Sequence, residues 1–189
     1  ANRGLPEYEV LPGAQGVTIA LTLLRAVGWL SRDDLRTRRG HAGPAIETPG
    51  AQLLGKHVFE YCLVPFHGDW MPAAVQARRF TSPPRAVVAA VQDGPLPTAQ
   101  SFLAVQPGAL VVSAVKPAWD GEGIIVRLYN QSDRPVEGAL RFVRPISRAW
   151  LTNLAEDKRL QELAVDGETV AVQAGPRDIV TVRLEAPAP

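Results

Sequence analysis

Glu7 and Glu9 stand two residues apart near the start of the chain, and paired carboxylates about 5 to 9 Å apart are what glycosidic-bond hydrolysis uses. Residues i and i+2 of a strand are roughly 6.6 Å apart but project from one face, whereas a catalytic pair must flank the bond it cleaves. That geometry reads as two acids on the wet face of a strand. His41, His57 and His67 are the only histidines. They lack the i, i+4 spacing and the cysteine partners of a zinc site, so a metal centre would need folding to bring two of them together. Arg32, Arg36, Arg38 and Arg39 are the densest charge in the chain, and guanidinium groups around a turn can hold phosphate or carboxylate. Asp33 and Asp34 lie among them, so the competing reading is a self-neutralising, solvated corner. Trp70 in FHGDW and Trp119 in KPAWDGEG sit beside acids and glycines, a composition that either stacks on sugar rings or packs at a domain edge. No nucleophile elbow, phosphate-binding glycine loop or Cys/His nucleophile arrangement is present as a motif. Nothing in the chain forms a complete active site.

The elements that must position these residues read as β structure. Seventeen prolines and sixteen glycines are spread over 189 residues and interrupt almost every stretch that could become a long helix. GVTIALTLLRAVGWL alternates around Val17, Ile19, Leu21 and Leu23 as a long strand. Ser31 with Asp34 three residues on resembles a capping box opening a short helical turn that Gly40 closes. HVFEYCLVPF predicts a second strand with both faces mostly covered, and MPAAVQARRF a short helix with Pro72 in its first turn. From about Val105 short strands arrive at regular spacing. Ile124–Tyr129 and Ala139–Val143 read as a hairpin about a turn at Asn130–Pro135, and AWLTNL, ETVAVQA and DIVTVRLE add strands. This is the pattern of a small Ig-like sandwich. Residues 1–104 and 105–189 are the expected domains. With 20 Lys+Arg against 19 Asp+Glu there is no global field for nucleic acid or an anionic membrane. The single Cys62 excludes an internal disulfide, no apolar run is long enough to span a bilayer, and a cytoplasmic location is expected.

As whole phrases, NRGLPEYEV, IALTLLRAVGWLSRDDLRTRRGHAGP and TPGAQLLGKHVFEY resemble the C-terminal β region of bacterial α-mannosidases of glycoside hydrolase family 38. The tail from VVSAVKPAWDGEGIIVRLYNQSDRPVEGALRF through GPRDIVTVRLE is similar to the small terminal β-sandwich of the same enzymes. The resemblance implies an all-β chain that begins partway through a galactose-mutarotase-like β-supersandwich and ends in an Ig-like sandwich. It implies no catalytic residue and no cofactor here. The family's zinc, Asp nucleophile and retaining chemistry belong to the catalytic and helical domains that would precede this chain and be its partners. The parent's substrate would be a mannoside, and homo-oligomer contacts are also expected. Asn2, Arg3 and Gly4 match an Asn-Arg-Gly turn that, in the family, approaches the sugar. An arginine fork suits hydroxyls or an acidic side chain, and Gly4 permits close backbone approach; the same arginine could equally tie the strand end to its neighbours. Two other readings are a stand-alone carbohydrate-binding sandwich using Trp70 and Trp119, and a structural Ig-like interaction domain.

Overall fold

The computed structural model describes residues 1–5 and 7–187. It forms two compact units, residues 1–87 and the residues from Val88 on. Among the described residues the architecture is all-β with antiparallel pairing throughout, apart from one helix and a 3-10 turn at Pro49–Gln52.

In the first unit, β1 (Tyr8–Gly13) and β2 (Gly16–Leu21) form a hairpin in register from Tyr8↔Leu21 to Gly13↔Gly16. The long strand expected from Gly16 to Leu30 ends at Leu21, because a strand persists only while a neighbour satisfies its backbone and β1 is six residues long. The capping-box reading of Ser31 is also corrected. Its Oγ accepts the Ala42 N–H at 3.0 Å, and the next residues make a small hairpin of β3 (Asp34–Leu35) and β4 (Arg38–Arg39). The serine closes a loop, one of the local uses that compete with helix formation. The segment 57–66, expected as a covered strand, forms no ladder among the described residues and makes one isolated β-bridge, Tyr61↔Asn2, and Val58 and Leu63 are 80% and 77% exposed. The helix α1 (Met71–Thr81) forms as expected: Asp69 Oδ1 accepts the Met71 N–H at 3.0 Å, and Pro72 occupies the first turn. Among the described residues of this unit no hydrophobic side chain is fully buried; its buried residue is Ser31.

The second unit holds the core. Its strands are β5 (Leu103–Gln106), β6 (Leu110–Pro117), β7 (Ile124–Asn130), β8 (Val136–Phe142), β9 (Arg148–Thr152), β10 (Arg159–Leu163), β11 (Val165–Asp166), β12 (Thr169–Ala174) and β13 (Ile179–Glu185). They form a five-stranded sheet β10-β9-β13-β7-β6 and a four-stranded sheet β11-β12-β8-β5. Inward residues of both, among them Val126, Leu128, Leu140, Val170 and Val182, close a common sandwich core. Register shifts between Val112 and Ala114 in β6 and between Arg159 and Gln161 in β10 place a bulge on each edge strand of the larger sheet.

The hairpin expected between Ile124–Tyr129 and Ala139–Val143 is corrected: β7 pairs with β6 and β13, while β8 pairs with β12 and β5. The intervening turn carries the chain from one sheet to the other. Asn130, 1% exposed, directs the crossing. Its Nδ2 donates to the carbonyls of Arg134 at 2.6 Å and Gly175 at 2.8 Å, and its Oδ1 accepts the Ser132 N–H at 2.9 Å. The end of β7 is thereby tied to the end of β12, which lies in the facing sheet.

Candidate functional site

The Asn2-Arg3-Gly4 turn is built on local hydrogen bonds. Asn2 Oδ1 accepts the Leu5 N–H at 3.1 Å, and Gly4 sits at φ +73°, a conformation that favours glycine. The Arg3 backbone N–H donates to the Glu60 carbonyl at 3.0 Å, which sets the turn against segment 57–66. Arg3 Nε and Nη2 donate to the Phe80 carbonyl at 2.9 and 2.6 Å, and Nη1 to Glu60 Oε2 at 2.7 Å. The guanidinium carbon lies 4.5 Å from the centroid of the Phe80 ring. Phe80 is in the last turn of α1, where carbonyls lack helical partners and the helix dipole favours a cation. The arginine therefore clamps the chain start, segment 57–66 and the helix end together. Three of the five N–H groups of a guanidinium are engaged in those bonds. The side chain is 33% exposed.

The other sequence candidates lie apart. Glu7 and Glu9 are both exposed, on or beside β1. In the arginine-rich hairpin, Arg32 makes a two-point ion pair with Asp34. Its guanidinium holds the Asp34 carboxyl below the usual carboxylate range and is itself raised by that bond. For Arg32, then, the self-neutralising corner is what forms. His41 lies 3.6 Å from Asp33. His57 Nε2 bonds the Leu53 carbonyl at 2.7 Å and its ring stacks on Phe59. Among the described residues no three of His, Cys, Asp and Glu gather closely enough to hold a metal ion, and no helix is long and apolar enough to cross a membrane. Trp70 lines an apolar groove of the first unit with Ile19, Leu63 and Phe66, whereas Trp119 belongs to the second unit.

Trp119 stands on the loop between β6 and β7. Asp120 fixes that loop: its Oδ1 accepts the Glu122 N–H at 3.0 Å and its Oδ2 accepts from Arg183 Nη1 at 2.7 Å. Gly123, at φ +86°, passes so close to the Leu184 carbonyl that any Cβ would collide with it. Opposite lies the loop between β9 and β10, held by Glu156. Its carboxylate is 6% exposed and receives Lys116 Nζ and Arg127 Nη2, each at 2.7 Å. Glu156 has φ +67°, strained for a residue with a Cβ, so the ion triad holds it in place. Sequence reasoning missed Arg127, Glu156 and Arg183. Their partners are 27 to 63 residues away, and alternation alone places Arg183 on a solvent face although it is buried.

Arg183, with the Glu122 N–H assisting, holds the Asp120 carboxyl below the usual carboxylate range. A carboxyl lowered by folding contributes stability above its unfolded value, about pH 4, and loses it as pH falls through the lowered folded value. In a carboxyl-carbon NMR titration Asp120 is expected to protonate below the ordinary aspartate value, and the amide of Glu122 to shift in the same step.

Residues 109–182 match the model of the glycosyl hydrolases family 38 C-terminal beta sandwich domain. Over 187 residues, 98% of the chain, the sequence is 31% identical to a protein of Halalkalibacterium halodurans provisionally named a mannosylglycerate hydrolase. The chain spans 19% of that relative's length.

Proposed function

From a second unit that carries a β-domain homologous to the C-terminal β-sandwich of family 38 glycosyl hydrolases, a domain found in bacterial mannosidase-like proteins, we infer that this chain is the non-catalytic C-terminal part of a retaining, zinc-dependent α-mannosidase-type enzyme. It supports and completes a sugar pocket whose reacting groups lie on other domains. The observation that carries this reading is the alignment along nearly the whole chain with a protein about five times as long, whose name assigns it a mannosyl substrate.

The first unit supports the reading independently. Its hairpin exposes Tyr8, Val10, Val17 and Ile19, and an apolar surface of this kind marks a face that packs on something else. We assign it to a galactose-mutarotase-like supersandwich completed by preceding chain, and the second unit to an Ig-like terminal sandwich. Arg3, held by Phe80 and Glu60, keeps N–H groups with which to reach a hydroxyl or an acid of a neighbouring domain. In this reading the zinc is held by the other domains and the chain's part in the reaction is positional.

The test compares the long polypeptide with a version ending before residue 1, assayed on an aryl α-mannoside and on mannosylglycerate. The long form is expected to hydrolyse at least one of them, and the truncated form to fall by about a hundredfold or more, the scale of losing a positioned pocket wall. In the long form Arg3→Ala is expected to raise KM more than it lowers kcat. Hydrolysis by residues 1–189 alone, or full activity without them, overturns the proposal.

A further inference from the structure

The two fixed loops of the second unit face each other across a cavity of about 520 Å³ lined by Trp119, Asp120, Glu156, Asp157, Arg159 and Arg183. Small-molecule sites occupy roughly 300 to 1,000 Å³. Trp119 is 93% exposed, yet the backbone beside it is held by hydrogen bonds. Ala118 is 5% exposed, its N–H donates to the Gly123 carbonyl at 3.1 Å and its carbonyl accepts the Gly121 N–H at 2.9 Å, while Asp120 is tied to Arg183. A large aromatic ring on a rigid loop loses little conformational freedom on binding. The opposite loop is equally set: Asn153 Nδ2 donates to Asp157 Oδ1 at 2.6 Å, and Asn153 Oδ1 accepts the Lys158 N–H at 3.2 Å.

The lining carries both signs, three carboxylates against two guanidinium groups, which suits neither a phosphate nor a metal ion. It suits a neutral ligand rich in hydroxyls. An ionised carboxylate accepts about four hydrogen bonds; Asp120 has two described protein donors and Asp157 one. A pyranose offers what remains, an apolar C–H face for the indole and hydroxyls for the acids. We propose that this cavity is a sugar-binding subsite in which Trp119 stacks on a hexopyranose ring and Asp120 and Asp157 accept its hydroxyls. The site goes beyond the pocket-supporting role above; only the choice of mannose as first probe rests on that role.

The test titrates residues 1–189 with methyl α-mannoside, and in parallel with methyl α-glucoside and methyl α-galactoside, following backbone amide shifts by NMR. Saturable shifts are expected in Trp119–Gly123 and Glu156–Arg159 with at least one glycoside. Trp119→Ala is expected to weaken that binding by about tenfold or more, the loss usual for a central aromatic contact, and to leave the thermal midpoint unchanged because the ring is exposed. Trp119→Phe is expected to restore part of the affinity. Saturation by the galactoside or glucoside alone supports the subsite while counting against a mannose-specific parent, which keeps the two proposals separable. No saturable shift with any glycoside, or equal shifts in Trp119→Ala, overturns it. So does a self-associating chain that Trp119→Ala renders monomeric without change in the sugar response, since the ring would then belong to a protein interface.

Discussion

Leu128→Ala is expected to destabilise the second unit by about 3 to 4 kcal/mol, within the range for deleting a buried leucine side chain. Leu128 is fully buried in β7, packed in the core the two sheets share, and the surrounding strands cannot collapse into the space because each is held by its ladder. A domain of this size has about 5 to 15 kcal/mol in total, so one substitution removes a large share and lowers Tm by on the order of 15 °C. Urea unfolding followed by the fluorescence of Trp150, which lies on β9, measures it. Ile19→Ala in β2 is the matched control. At 65% exposure it is expected to change the stability of the 189-residue chain by about 0.5 kcal/mol or less. A large effect there would mean that the first unit has a buried face of its own, against the role inferred for it.

Asn130→Ala is the second large effect, expected at about 3 kcal/mol. The amide closes a turn and a between-sheet tie at once, so its removal leaves the carbonyls of Arg134 and Gly175 and the Ser132 N–H without this partner. Each buried polar group left unmade costs about 1 to 3 kcal/mol, and some of these recover water at the turn. Asn130→Asp separates the roles: it retains the acceptor for Ser132 and loses both donors. Above the carboxyl's pKa it is expected to destabilise at least as much as alanine, because a buried carboxylate oxygen then faces two carbonyls, and to recover in part at lower pH, where the carboxyl gains an O–H to donate. Denaturant midpoints with unchanged m-values give the comparison.

The strands of the sandwich were legible because each half-buried strand writes its own alternation, as in Val126 and Leu128 of β7 and Val170 and Val172 of β12. Pairing was not. A six-residue turn flanked by alternating strands reads the same whether the chain folds back beside itself or crosses to the facing sheet, since both strands point apolar residues inward either way. What decides is Asn130, whose partners at Gly175 are 45 residues on. Segment 57–66 failed differently. Its alternation is real, but alternation shows that a strand could form a covered face, and the cover must come from elsewhere. The site divides likewise: Trp119 and Asp120 are marked by composition, while Glu156, Arg127 and Arg183, which hold the loops, are joined only by folding.

The bulges on β6 and β10 concern molecules other than the one that carries them. An open sheet offers a row of unpaired backbone groups at each rim, and a flat rim invites a neighbouring chain to add itself as the next strand. Here the bulge in β6 precedes Lys116 and Pro117, and that in β10 falls among Arg159, Gln161 and Glu162. A charged, twisted, proline-ended rim cannot be copied from one molecule to the next. The two rims of the larger sheet thus work against edge-to-edge pairing of one copy of the sandwich with the next.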